Sequence, residues 1–230
     1  MCCIVPAAGI GKRMQANVPK QYLPFRTSTI LDHTLKRLLS CELIEKVIVV
    51  TNNDDHHWPS SSFFEDPRVT QVVGGKERSD SVLNGLLAAE ALYGKDVWVL
   101  VHDAARPCIV KEDIQLLIEK ATTTDQGTIL AAPIHDTIKK VSGSSLKTLD
   151  RNKIWRALTP QMFRLRQLKN AITNARDTKK AVTDEAHAVE LMGDPTGFVE
   201  GRSDNVKITT SSDLSLANYY IERQEGAKCE

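Results

Sequence analysis

The 230-residue chain carries 30 Lys and Arg against 29 Asp and Glu, a net charge of +1, with 41% hydrophobic and 26% charged residues. That balance excludes an intrinsically disordered chain and a broadly basic nucleic-acid binder, so any polyanion must be met locally. A chain of this length buries about 70% of its unfolded surface and needs neither disulfide nor metal to hold a core; a single domain over residues 1–230 is expected. The cysteines at 2, 3, 41, 108 and 229 match no zinc spacing and are odd in number, which suits reduced thiols in the cytoplasm. The start, MCCIVPAAG, lacks a basic stretch followed by an apolar core, and no run of about 18 apolar residues occurs. Signal peptide, transit peptide and membrane span are therefore not expected.

In chain order, aliphatic runs of strand length occupy residues 2–5, 46–51, 69–73, 97–102 and 128–132. Helical periodicity lies between them. It places Leu31, Leu35, Leu38 and Leu39 on one face of 30–40, after possible caps at Ser28 and Thr29. The same spacing recurs with Val82, Leu83, Leu86 and Leu87 in 79–93, and with Ile114, Leu117, Ile118 and Ala121 in 111–122. Such alternation predicts βαβ units: an α/β fold with a mostly parallel sheet and helices on both faces. The alternation breaks near Ile134. Residues 137–149 read as a β-hairpin around Gly143-Ser144-Ser145, and a lone hairpin is marginal in water, so it should pack on something, such as a second subunit. Helices over 164–176 and 184–192, a strand at 206–209 and a helix over 213–223 complete the prediction.

Ligands of open parallel sheets bind beyond the carboxyl ends of the strands. The segment after the first strand, Pro6-Ala7-Ala8-Gly9-Ile10-Gly11-Lys12-Arg13-Met14, lets a backbone approach a ligand closely. It fits neither GxxxxGK[ST], because Arg13 follows Lys12, nor GxGxxG, because Met14 stands at the third glycine. A strand-to-helix turn alone would explain the glycines. The charge says more: residues 1–31 hold Lys12, Arg13, Lys20 and Arg26 and no acidic residue, +4 in a protein of +1. A small polyphosphate is the natural guest, met by backbone N–H groups and fixed cations.

Residues 5–14 with Pro19-Lys20-Gln21-Tyr22 resemble the opening signature of sugar-phosphate nucleotidyltransferases, specifically the 2-C-methyl-D-erythritol 4-phosphate cytidylyltransferases. GGKERSDSV at 74–82, HDAARP at 102–107, AAP at 131–133 with Asp136-Thr137, Asp150-Arg151, LTPQ at 158–161, TDEA at 183–186 and EGRSDNVK at 200–207 agree in order. The resemblance implies a Rossmann-like sheet with a protruding β-arm at about 137–155 that joins a homodimer. It also implies transfer of CMP from CTP to methylerythritol 4-phosphate with release of pyrophosphate, in non-mevalonate isoprenoid synthesis. Arg13 and Lys20 would stabilise the transition state at the α-phosphorus. Ala7, Ala8, Gly9, Gly11, Gly75, Lys76, Ser81 and Asp103 would hold CTP, although Lys76 stands where the family commonly carries an acidic or polar residue. For the sugar phosphate the resemblance points to Asp103, Arg106, Thr137, Arg151, Thr159, Thr183 and Lys207, with Arg151 acting on the neighbouring subunit's site. Mg²⁺, for which other divalent cations could substitute, would be held chiefly by the triphosphate, with Asp103 and Asp204 as nearby carboxylates. His56 and His57 read as surface and His102 as structural. No nucleic acid or membrane partner is implied. Two alternatives stand beside this reading: a ribitol 5-phosphate cytidylyltransferase, and a non-catalytic nucleotide-binding module.

Overall fold

A computed structural model describes residues 1–9 and 18–226. Strand β1 (Cys2–Pro6) is followed by the short ribbon β2 (Pro24–Phe25) and β3 (Ser28–Thr29), then α1 (Ile30–Leu39), β4 (Lys46–Thr51), β5 (Val69–Val73), α2 (Arg78–Tyr93), β6 (Trp98–Val101), α3 (Lys111–Thr124) and β7 (Thr128–Pro133). The hairpin β8 (Lys139–Ser142) and β9 (Ser145–Thr148) interrupts the alternation. Then come β10 (Trp155–Arg164), α4 (Leu165–Asp177), α5 (Glu185–Glu190), β11 (Gly197–Glu200) and α6 (Ser211–Gly226).

Seven strands form one sheet in the order β11-β7-β10-β6-β1-β4-β5. Within it β10 runs antiparallel to β6 and β7, and the other pairings are parallel, as the mostly parallel prediction requires. The central strands β1, β4 and β6 read as apolar runs because both faces are covered. Cys3, Val5, Val47, Val49 and Leu100 face α1 and α3, whereas Cys2, Ile4, Ile48, Val50, Val99 and Val101 face α2, α4 and α5. The start of α1 is fixed by Thr29, whose hydroxyl accepts from the Asp32 N–H at 3.1 Å. A reciprocal Glu77/Asp80 capping box opens α2, and Gly94 at φ +79° ends it.

Residues 206–209 do not form the expected strand. They are irregular, the Ile208 N–H donates to Ala105 O (2.8 Å), and Ile208 enters a third core with Phe25, Ile30, Ala105, Cys108, Ala217 and Ile221. The apolar alternation there reflects packing against α6 rather than a ladder. The hairpin is present, with Gly143 at φ +58° in its turn, and every residue of β8 and β9 is exposed. No described helix is long and apolar enough to cross a membrane.

From β1 the chain moves through α1 to β4 and β5 on one side, then α2 carries it back to β6 on the other side of β1. The carboxyl ends of β1 and β6 are therefore a topological switch point, where a crevice opens.

Candidate active site

The crevice is lined by Pro6 to Gly9 after β1, Lys20 and Gln21, Gly75 to Arg78 with Ser81 at the start of α2, Asp103 to Ala105 after β6, and Lys207. The loop after β1 extends the sheet, since the Ala7 N–H donates to Val50 O at 2.7 Å and the buried Gln21 amide donates to Ala7 O at 2.5 Å. Gly74 admits no side chain: a Cβ would stand 2.7 Å from Ser81 Oγ and 2.8 Å from Ala8 Cβ. The buried Ser81 hydroxyl accepts from the Gly75 N–H (3.2 Å) and donates to Glu77 O (3.2 Å), which shapes the loop. Lys76 is exposed at the rim. Lys20 Nζ donates to Ile208 O at 3.1 Å, so the cation is aimed by the segment that carries Lys207. Gly11 and Arg13, with Lys12 and Met14, lie outside the described residues.

One wall of the crevice is ionic. Asp103, 7% exposed, accepts from Arg78 at 3.2 Å, Arg106 Nε at 3.2 Å and Lys207 Nζ at 3.0 Å. Burial alone would raise its pKa, but the nearby Arg78, Lys207 and Arg106 cations outweigh burial and hold the carboxyl well below the usual carboxylate range. Arg78 bridges further to the buried Glu185 through two bonds of 2.6 and 3.2 Å. Burial pulls its pKa down, but the Glu185 and Asp103 charges prevail and raise it, so Arg78 stays charged. Arg106 Nη1 donates to Asn205 O at 2.8 Å.

A buried scaffold fixes this wall from behind. The Thr159 hydroxyl oxygen accepts from the Asp103 N–H at 3.1 Å and contacts His102 Nδ1 at 3.1 Å, while His102 Nε2 lies 3.1 Å from Arg106 O. A carbonyl only accepts, so the ring carries its proton on Nε2 and Thr159 donates to Nδ1. Burial lowers the His102 pKa to about 4, and the imidazole is neutral. Thr159 sits where the β10–β7 register shifts, between Ala157 and Gln161, an irregularity that turns its side chain toward Asp103. The Asn205 amide donates to Thr159 O at 2.8 Å and locks the loop before Lys207 onto β10.

A second cavity adjoins the first. Arg106, Thr159, Gln161, Thr183 and Asp184 line it, and Arg78, Asp103 and Lys207 line both. Five expected sugar-phosphate residues, Asp103, Arg106, Thr159, Thr183 and Lys207, thus meet around one space. Thr137 and Arg151 do not join them: both are exposed at the base of the hairpin, where Arg151 donates to His135 O. Asp204 also departs from expectation. Its carboxylate pairs with Arg202 (2.5 Å) and accepts from Gln224 (3.2 Å), facing a separate cavity, so it does not flank a cation with Asp103. A turn at residues 203–204, closed by the Asn205 N–H to Arg202 O at 3.2 Å, directs Asp204 away while Asn205 and Lys207 reach the site. Among the described residues, no group of three or more His, Cys, Asp or Glu could hold a metal by itself.

Arg78 and Glu185 carry no role in the sequence reading, although both lie in blocks that it singled out. A usable signal was present. An arginine at the first position of a helix opposes the helix dipole and calls for a nearby anion.

The sequence matches the family described as IspD, 2-C-methyl-D-erythritol 4-phosphate cytidylyltransferase, over residues 1–223. The enzyme of that name from Photobacterium profundum is 46% identical, covering 97% of both chains, and that from Shewanella amazonensis is 47% identical, covering 96% of this chain and 93% of that one. The crystal structure of the Francisella tularensis 2-C-methyl-D-erythritol 4-phosphate cytidylyltransferase superposes with a TM-score of 0.82 at 38% identity, over 95% of this chain and 98% of that one. A crystal structure of a 4-diphosphocytidyl-2C-methyl-D-erythritol synthase gives the same TM-score of 0.82 at 31% identity, over 96% and 98%. With its fold, crevice and sequence in agreement, the chain belongs to the 2-C-methyl-D-erythritol 4-phosphate cytidylyltransferase family.

Proposed function

We propose that the chain transfers CMP from CTP to 2-C-methyl-D-erythritol 4-phosphate, giving 4-(cytidine 5′-diphospho)-2-C-methyl-D-erythritol and pyrophosphate. The observation that carries this reading is the pair of cavities with Arg78, Asp103 and Lys207 in their common wall. Two anions can be seated on either side of one set of cations, which the joining of two phosphates requires.

The nucleotide occupies the first cavity. Ser81 Oγ already donates once and accepts once, and its remaining lone pair suits a donor such as the cytosine amino group. Uracil presents an acceptor there and would be rejected. Lys20, with Arg13, neutralises charge on the triphosphate as the pentavalent phosphorus forms. The sugar phosphate occupies the second cavity, its phosphate toward Thr159, Thr183 and Lys207 and its hydroxyls toward Asp103 and Arg106. A phosphate monoester has a second pKa near 6, so the nucleophile arrives ionised and the protein supplies position and charge rather than a base. Asp103 is the carboxylate common to both cavities, which fits Mg²⁺ held mainly by phosphate oxygens and water with Asp103 beside it. When bound, that ion supplies further neutralisation of the phosphates.

The hairpin is read as a dimerisation arm. Val141 and Leu146 face each other across it and are each 67% exposed, a surface that a second copy would cover. Arg151 and Thr137, outside their own chain's cavity, would then serve the partner's. The described cysteines are unpaired and buried, in keeping with a reducing cytoplasm. Pyrophosphate release tests the reading: it should require CTP, methylerythritol 4-phosphate and a divalent cation. Equal turnover with UTP would refute the base assignment, and equal turnover with ribitol 5-phosphate would refute the substrate assignment.

A further inference from the structure

Glu185 is a buried carboxylate, 2% exposed, to which the reaction as written gives no part. Its hydrogen-bond partner among the described residues is Arg78, gripped by both carboxylate oxygens. Arg78 opens α2, the helix whose preceding loop lines the nucleotide cavity, and Glu185 opens α5, whose preceding residues Thr183 and Asp184 line the second cavity. A single ion pair therefore joins the floors of both cavities, across 107 residues of sequence. The guanidinium spends its other edge on Asp103.

We infer that Glu185 is a positioning residue for the sugar phosphate, holding Arg78 at a fixed distance from Asp103 and α5 at a fixed distance from α2. The inference rests on the two-cavity reading above. Without the Glu185 charge, Arg78 has Asp103 as its remaining counter-ion and is drawn onto it, in competition with Arg106 and Lys207. Asp103 then turns from its polyol-facing position, while Gln161, bonded to the Ala186 N–H at 2.9 Å and to Asp184 at 3.0 Å, still holds the start of α5 to β10. The nucleotide side has its own supports: the Glu77/Asp80 capping box and the Gly75–Ser81–Glu77 bonds do not involve Glu185. The damage should consequently weigh more on the sugar phosphate than on the nucleotide.

The test is steady-state kinetics of Glu185→Gln with each substrate varied in turn, together with calorimetric binding of methylerythritol 4-phosphate. Glu185→Gln is expected to lower kcat/KM for the sugar phosphate by about 10- to 100-fold and to raise its Kd by at least about tenfold, with KM for CTP within about threefold. Glu185→Asp keeps the charge and should recover a substantial part. Arg78→Lys keeps charge but loses the two-pronged grip, and should reproduce the same split even where Glu185→Gln does not fold. Unchanged sugar-phosphate parameters, equal losses on both substrates, or a Glu185→Asp variant no better than Glu185→Gln would each overturn the assignment. A wild-type chain that binds the sugar phosphate but releases no pyrophosphate would refute the proposed function instead, leaving the Kd comparison to judge Glu185.

Discussion

His102 offers the most quantitative test of how the ionic wall is held. Its ring is fully buried between Thr159 and Arg106 O, and burial takes its pKa from 6.5 to about 4. The unfolded chain therefore binds a proton near pH 6.5 that the folded chain refuses until about pH 4. Stability from the neutral ring is fully present above pH 6.5, falls as the pH drops below it, and is lost once the folded ring itself protonates. The full amount corresponds to about 3 kcal/mol, of which about 2 kcal/mol disappears between pH 7 and pH 5. Urea unfolding of the wild type and of His102→Gln at those two pH values isolates the effect. Gln can still donate to one neighbour and accept from the other, and any constant packing penalty cancels because only the change with pH is compared. The wild type should lose about 2 kcal/mol more than the variant on acidification. Equal losses would mean that the ring is not held neutral by burial, and the proton assignment behind Thr159 and Asp103 would fall with it.

Three further outcomes are expected. Lys20→Ala should lower kcat at least about 100-fold if the cation acts in the transition state; an unchanged kcat with a raised KM in the pyrophosphate assay would assign it to ground-state binding. Asp103→Asn leaves Arg78, Arg106 and Lys207 facing one another without their common counter-ion and should cost about 3–5 kcal/mol in urea unfolding as well as activity. Mixing Arg151→Ala with Lys20→Ala protein should restore part of the activity through heterodimers with one intact site; no recovery despite demonstrated subunit exchange would refute action in trans.

Much of the fold is legible in the chain because its parallel strands are buried on both faces and so appear as plain aliphatic runs separated by helical spacing. β10 escaped because Trp155, Arg156 and Arg164 bracket it and Pro160 stands inside it, features that demote a strand on sequence grounds. β11 is four residues long with Phe198 exposed, too short to distinguish from a loop. Residues 206–209 mislead in the opposite direction: Val206 and Ile208, both packed in the third core, alternate with polar residues as in a strand without joining a ladder. At the site, local loops declared themselves through glycine and charge, and the family blocks brought Asp103, Arg106, Thr159, Thr183 and Lys207 into view. The pairings did not. The helix start at Arg78 calls for an anion but not for Glu185 in particular, 107 residues away, and nothing near Asp204 indicates the distant Gln224.

On the proposed function, the same pairings explain how a nearly neutral protein can present a cationic wall to two phosphates. Arg78, Arg106 and Lys207 would repel one another if left alone, and a mobile cation would have to be ordered as each substrate arrived. Asp103 takes a bond from all three and Glu185 two hydrogen bonds from one, so the cations are held in place with their repulsion already offset. Incoming phosphate oxygens then meet charges that need little rearrangement, the condition under which electrostatic stabilisation of a transition state is largest. Three cations against two carboxylates leave the wall with a surplus of one positive charge, so the carboxylates organise the cations without cancelling their attraction for an anion. On that reading the buried acids of this site organise cations for phosphate rather than act as bases, which is also why a nucleophile that arrives ionised suits it.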